Sequence, residues 1–359
     1  MFGPVRYLEW ARRFYGQVRF DLATSGMPTV RAAEIPMPDP SRLDDPAAWT
    51  RLPEVIAAHN AVPREEAVAA LGTTHAVWLA CASVTTPGDE VLVEEPAYEP
   101  LVRIAEGVGA RVVRFGREPG ERFALDPERI AQAMTPRTRL VVVTNLHNPS
   151  GVRTGEDVLR ACARAAETGG AFLLVNEVYA AFDDFVGADG VFRASARKLG
   201  PNVLAASSLT KCYGLGPQRI GWLLGPPDLM DRARDAATAT HGMLPLPYAH
   251  RALGAFERLA ALAARTRGTL SAKRERVGAW VEASGLSWSQ PREGLFGFVT
   301  VPDRGDLTPT IEAAAREREV LVAPGAFFGL PGGFRIAWSA APEVLEEGLA
   351  RLAGALARR

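Results

Sequence analysis

Ser207-Ser208-Leu209-Thr210-Lys211-Cys212-Tyr213-Gly214-Leu215-Gly216-Pro217-Gln218-Arg219-Ile220-Gly221-Trp222 decides how the rest of this chain is read. The stretch follows an apolar strand pattern and gathers hydroxyls, glycines and two cations. Lysine is rare here: Lys198, Lys211 and Lys273 are the only three among 41 basic residues, the other 38 being arginines. An ordinary turn between strands leaves unexplained why one of them lies between Ser208 and Arg219, both suited to an oxyanion. A lysine amine forms an imine with an aldehyde when its neighbours lower its pKa. A phosphate on that aldehyde needs hydroxyl donors and a guanidinium fork, and glycines let the backbone come close.

Outward from this stretch, apolar strands alternate with helical patterns from about residue 53, which predicts an α/β domain with a mainly parallel sheet. The expected strands are Val91–Val93, Arg111–Phe115, Leu140–Thr144, Phe172–Val175, Val203–Ala206 and Ile220–Leu224. Helical patterns are read at Glu65–Leu71 and Gly155–Thr168, and a long Ala- and Arg-rich helical region from Tyr248 to Ser284. Short strands are expected near Gly297–Val301 and Phe334–Trp338, before a closing helix whose Leu345, Leu349, Leu352 and Leu356 share one face. Tyr7, Trp10, Phe14 and Tyr15 give residues 5–20 the spacing of a short amphipathic helix, and an irregular Pro-rich stretch runs from Met27 to Pro46. The expected division is an N-terminal segment 1–45 belonging to a small domain and a substrate lid, and a large domain 46–245. An interdomain helix 246–284 and a C-terminal small domain 285–359 follow.

Composition excludes several classes. Forty-one basic residues balance 41 acidic ones, which argues against nucleic acid or an anionic membrane as partner. Cys81, Cys162 and Cys212 form neither a disulfide framework nor a metal-spacing pattern, and the five histidines lack close spacing, so no metal is expected. With no basic start before an apolar run and no long apolar stretch, the chain reads as cytoplasmic.

The lysine stretch resembles the cofactor-lysine motif of the class I and II aminotransferases, fold-type I pyridoxal-phosphate (PLP) enzymes. Their pattern is Ser-x-Ser/Thr-Lys, followed eight residues later by Arg-x-Gly, as Ser208, Thr210, Lys211, Arg219 and Gly221 stand here. The resemblance implies that Lys211 is the imine-forming catalytic residue and that Ser208 and Arg219 are phosphate ligands. Further matches follow in order. Gly72-Thr73-Thr74-His75-Ala76 resembles the phosphate-holding turn at a helix start, and Tyr98 falls at the aromatic that stacks on the pyridine ring. His147-Asn148-Pro149-Ser150-Gly151 resembles the family's Asn-Pro-Thr/Ser-Gly turn, which gives Asn148 a bond to the ring hydroxyl oxygen. Tyr179, in Asn176-Glu177-Val178-Tyr179, matches the tyrosine at the same oxygen. Pro324-Gly325-Ala326-Phe327-Phe328-Gly329 precedes Arg335, at the arginine that clamps the substrate carboxylate; Ser25-Gly26-Met27-Pro28 resembles the loop that closes over substrate, with Gly26 as its contact.

The matches run from about residue 25 to 340. They imply a large domain with a seven-stranded, mainly parallel sheet sandwiched by helices, plus a smaller α+β domain. They also imply a homodimer and ping-pong transfer of an amino group between an L-amino acid and a 2-oxo acid. The alternatives are a PLP-dependent lyase or cyclase on the same fold, and a non-catalytic PLP-fold binding protein. Two departures stand out. Asn176 replaces the aspartate that keeps the pyridine nitrogen protonated, and a neutral amide cannot favour the pyridinium by charge. No tyrosine lies between Tyr15 and Tyr98, so the family's cross-subunit phosphate contact has no counterpart near Trp49. Met27, Ile35 and Met37, near the expected lid, lean toward a substrate with a neutral side chain.

Overall fold

The structure is a computed structural model and describes residues 2–35, 43–182, 185–266 and 269–357. Met37 lies outside the described residues. A seven-stranded sheet runs in the order Ala67–Ala70, Gly221–Leu224, Val203–Ser208, Phe172–Asn176, Thr138–Thr144, Glu90–Glu95, Arg111–Gly116. Only Gly221–Leu224 runs antiparallel to its neighbours. The central strands are apolar without alternation because both faces are covered, as parallel sheets require. Val91, Val93, Leu140, Val142, Leu174 and Leu204 belong to one core, with the helix Gly72–Val84. Leu92, Val141, Val143, Leu173, Val175 and Val203 belong to the other, with the helix Glu156–Thr168.

The six expected strands are present within one or two residues of their predicted ends. One reading fails. Residues 65–71 are not helical: a single 3₁₀ turn at Arg64–Glu66 leads into the strand Ala67–Ala70, the seventh of the sheet. Its alanines favour helix locally, but pairing with Gly221–Leu224 overrides that preference. The Tyr248–Ser284 region is also not one helix but three, Leu246–Phe256, Leu259–Ala264 and Thr269–Ala283.

A four-stranded antiparallel sheet, ordered Ala323–Pro324, Gly333–Ala337, Phe296–Thr300, Ser287–Trp288, carries the C-terminal part. The N-terminus is sewn to it: Phe20–Asp21 pairs in parallel with Val320–Leu321, and the Leu22 carbonyl accepts from Ala337 N–H at 2.8 Å. This brings the N-terminal helix Arg6–Phe14 over the carboxyl ends of the parallel strands, where open α/β sheets bind ligands. A buried ion pair, Glu94–Arg117 at 2.8 Å, braces those strand ends. Glu94 also accepts Thr144 N–H at 2.6 Å, so its oxygens are matched despite the burial that pushes its pKa up.

Candidate active site

Residues at the carboxyl ends of the parallel strands converge on a cavity of about 330 Å³. The strand Val203–Ser208 delivers Lys211, Phe172–Asn176 ends on Asn176, and the turn after Thr138–Thr144 carries Asn148. Thr73, Thr74, Tyr98, Asn148, Asn176, Tyr179, Lys211 and Arg219 all line the wall. Gly26, Gly72, Ser208 and Arg335 lie immediately behind it, each against a lining residue. All the residues expected from sequence are thus brought together. A second cavity, of about 640 Å³, lies between Thr29–Arg31, the Gly214–Gln218 loop and Pro247–Arg251, and none of the expected residues lines it.

At one end the cavity forms an anion cradle. The helix Gly72–Val84 points its N-terminus there, with free N–H groups. Thr73 Oγ1 is buried without a hydrogen-bond partner. Ser208 Oγ and Thr210 Oγ1 lie 2.7 Å apart. Arg219 folds across Gly72 so closely that a Cβ there would stand 2.6 Å from Nη2, and Gly72 takes φ +79°, which a side chain rarely adopts. An orphaned hydroxyl, a paired set of hydroxyls, a guanidinium and a helix N-terminus suit a phosphate.

In the middle sits Lys211, its Nζ 3.4 Å from Ser25 Oγ. Burial lowers its pKa from 10.5 to about 8, and the charges of Arg335 and Arg219 add to this while Tyr7 opposes it. That is the direction an imine-forming amine needs. Gly26 sits against the lysine stem, where even a Cβ would make ordinary contact, 3.6 Å from Lys211 Cδ. Tyr98 supplies an aromatic wall, and the Tyr179 hydroxyl lies 3.0 Å from Ser25 Oγ.

Two amides are oriented by what they accept. Asn148 Oδ1 accepts from Arg335 Nη1 at 2.8 Å, which leaves Asn148 Nδ2 as the donor end. Asn176 Oδ1 accepts from Val178 N–H at 3.4 Å, so its remaining group is likewise a donor. Arg335 is fully buried; Nη2 donates to Tyr7 OH at 3.0 Å and to the Ala23 carbonyl at 2.9 Å, and Nε has no partner.

The sequence reading named the Ser25–Pro28 loop and Arg335 but missed the rest of the other end of the cavity. Tyr7, Leu8 and Tyr15 reach it from the N-terminal segment, Pro100, Leu101 and Ile104 from the helix Glu99–Gly107, and Ser25 from the loop between. The Tyr7 and Tyr15 hydroxyls lie 3.3 Å apart. Their two-turn spacing was visible as an amphipathic pattern, but nothing local marks these hydroxyls as facing a cavity rather than solvent. Trp49, where the cross-subunit tyrosine was sought, spends its indole N–H on the Leu244 carbonyl at 2.6 Å. Among the described residues no helix is long and apolar enough to cross a membrane.

Residues 50–352 match the profile of the aminotransferase class I and II family. The chain is 31% identical to capreomycidine synthase of Streptomyces vinaceus, across 96% of its own length and 91% of that protein. It is 29% identical to the aspartate/prephenate aminotransferase of Thermus thermophilus, over 83% and 77% of the two chains. Two solved structures share the fold: a PLP-dependent aminotransferase from Streptococcus suis (TM-score 0.85, 22% identity, 99% and 98% covered) and the PLP-dependent cyclase OrfR (TM-score 0.82, 24% identity, 99% and 97% covered). A profile that spans the site from Gly72 to Arg335 places this chain in the class I and II aminotransferase family of pyridoxal-phosphate-dependent enzymes.

Proposed function

We propose that this protein removes the Cα proton of an L-amino acid and sends the released electron pair to a leaving group on the β-carbon, as a PLP-dependent lyase or ring-closing enzyme. Thr73, Thr74, Ser208, Arg219 and the N-terminus of Gly72–Val84 would hold the phosphate; Tyr98 would cover the ring. Asn148 Nδ2 and the Tyr179 hydroxyl would meet the ring hydroxyl oxygen, and Lys211 the aldehyde. Bound there, the cofactor supplies an aldehyde for the substrate amine and a ring that draws electrons from Cα. Arg335, with Asn148, orients the substrate carboxylate. Lys211 Nζ would remove the Cα proton.

The observation that carries the choice of reaction is Asn176. Its Oδ1 accepts from Val178 N–H at 3.4 Å, which favours Nδ2 as the group offered to the ring nitrogen. A neutral donor binds the unprotonated nitrogen and does not hold a proton on it. Asn176 therefore leaves a weaker electron sink than an aspartate would. Expelling a β-substituent then discharges the Cα electron pair more readily than handing a proton on to the cofactor carbon. The likeness to capreomycidine synthase supports the same branch. Transamination, implied by the family resemblance, is the second reading, and the likeness to the Thermus aminotransferase favours it.

The test is a panel of L-amino acids with and without β-leaving groups, followed by visible absorption, ammonia release and product analysis. The expected result is an eliminated or cyclised product with the cofactor aldehyde retained. Stoichiometric pyridoxamine after one half-reaction, with no β-bond broken, would sink the reading and establish transamination.

A further inference from the structure

We propose that Tyr7 is the proton donor to the substrate's β-leaving group, and that Tyr15 connects it to solvent. This rests on the elimination reading above. A poor leaving group such as hydroxide must be protonated as its bond to Cβ breaks. No carboxylic acid and no histidine lines the cavity among the described residues. Four phenols do. Tyr98 covers the ring, and the Tyr179 hydroxyl is engaged beside Ser25. With Lys211 assigned to the Cα proton, that leaves Tyr7 and Tyr15, both at the end of the cavity away from the phosphate cradle.

Tyr7 is held for the task. Its backbone N–H donates to Glu99 Oε2 at 2.8 Å. Its ring packs against Trp10, Tyr98, Phe327 and Phe328 at centroid distances of 5.7–6.3 Å. Arg335 Nη2 donates to the Tyr7 oxygen at 3.0 Å, and a guanidinium can only donate. The phenol's lone pair is thus engaged and its own proton is left for an acceptor. Two acceptors are in reach, the Tyr15 oxygen at 3.3 Å and the side chain of a substrate whose carboxylate sits on Arg335. The same guanidinium lies against the phenolate as it forms. Tyr15 is 41% exposed, so part of this side chain reaches the surface beside the cavity.

The step balances without a redox partner. The Cα–H bond breaks and its proton goes to Lys211 Nζ. Its electron pair becomes the Cα=Cβ bond. The Cβ–O bond breaks with its pair on oxygen, and the Tyr7 proton converts that oxygen to water. Tyr15 returns a proton to Tyr7 and recovers one from solvent, and Lys211 gives up the Cα proton to the departing product, so both groups end as they began.

Tyr7→Phe removes the hydroxyl and keeps the ring packing, which an unchanged melting temperature verifies. L-serine and β-chloro-L-alanine share a carbon skeleton, but chloride leaves without a proton. The expected result is a loss of about 10²- to 10⁴-fold in ammonia release from serine, with a loss at least tenfold smaller from the chloro compound. Cα–H exchange in D₂O should fall less than serine elimination. Binding gives the same discrimination without turnover: the spectral dissociation constant of serine should weaken about three- to tenfold relative to that of alanine. Equal losses for both leaving groups, with serine and alanine binding weakened alike, would show that Tyr7 only supports Arg335, and would overturn the proposal. A wild-type enzyme that exchanges the Cα proton of serine and accumulates pyridoxamine without ammonia would instead overturn the elimination reading itself.

Discussion

The two ends of the cavity are built in different ways. The phosphate end comes from two short contiguous runs, Gly72–Thr74 and Ser208–Arg219, attached to adjacent strands of one sheet. The opposite end is assembled from Tyr7, Tyr15, Ser25 and Ile104 with Arg335 behind them, segments up to 328 residues apart and joined by Arg335 Nη2 on Tyr7. On the proposed reading, the first end would hold the cofactor phosphate through backbone and charge and the second would meet the substrate side chain, with Asn176 between them.

Variants at the two ends should separate. Lys211→Ala, shared by both, should have the largest effect: loss of the visible cofactor band and at least a 10³-fold fall in turnover. Turnover near wild type in that variant would remove the lysine from the chemistry. Arg335→Ala should lower kcat/KM for every amino acid by about 30- to several-thousand-fold, the 2–5 kcal/mol of a broken buried charged pair, while cofactor affinity changes little. Arg335→Lys should restore little of it, because an ammonium lacks the guanidinium fork. Arg219→Ala should do the reverse, weakening cofactor affinity by about 1.5–3 kcal/mol in equilibrium dialysis and leaving amino-acid preference intact. Gly72→Ala should cost about 1–3 kcal/mol of stability from its left-handed backbone alone, read by thermal unfolding, with further loss of cofactor affinity from the clash with Arg219.

A further effect is one of pH. Lys211 in the apoprotein should be protonated below about 8, so covalent capture of the cofactor should rise with pH up to about 8 and then level off. Burial that lowers a lysine pKa also destabilises the folded state. That penalty is present in full below about 8 and is relieved as pH rises toward 10.5, where the unfolded lysine also loses its proton. Apoprotein stability should therefore increase across that interval relative to Lys211→Met, and a parallel pH dependence in the two would contradict the lysine's burial.

The same contrast explains what was legible in the sequence. Lys211, Arg219, Asn148 and Thr73 were readable because each belongs to a run whose spacing alone is restrictive. Five of the seven strands were readable because double burial keeps their runs apolar, and the edge strand Arg111–Gly116 from its Val112, Val113 and Phe115. Ala67–Ala70 was not, since four small residues carry no period and only their partner strand makes them extended. Tyr7 was read as a helix aromatic, correctly, but its hydroxyl's bond to Arg335 is a tertiary fact. Asn176 was legible as a departure from the family pattern; the orientation of its amide was not.

The central claim is that Asn176 leaves the cofactor ring nitrogen unprotonated, and the most direct measurement is the ¹⁵N chemical shift of that nitrogen in enzyme loaded with ¹⁵N-labelled cofactor. The wild type should give the shift of a neutral pyridine, and Asn176→Asp should move it to the pyridinium position while raising the share of turnovers that end in pyridoxamine. A pyridinium shift in the wild type would contradict the account, and with it the reason for preferring elimination over transamination.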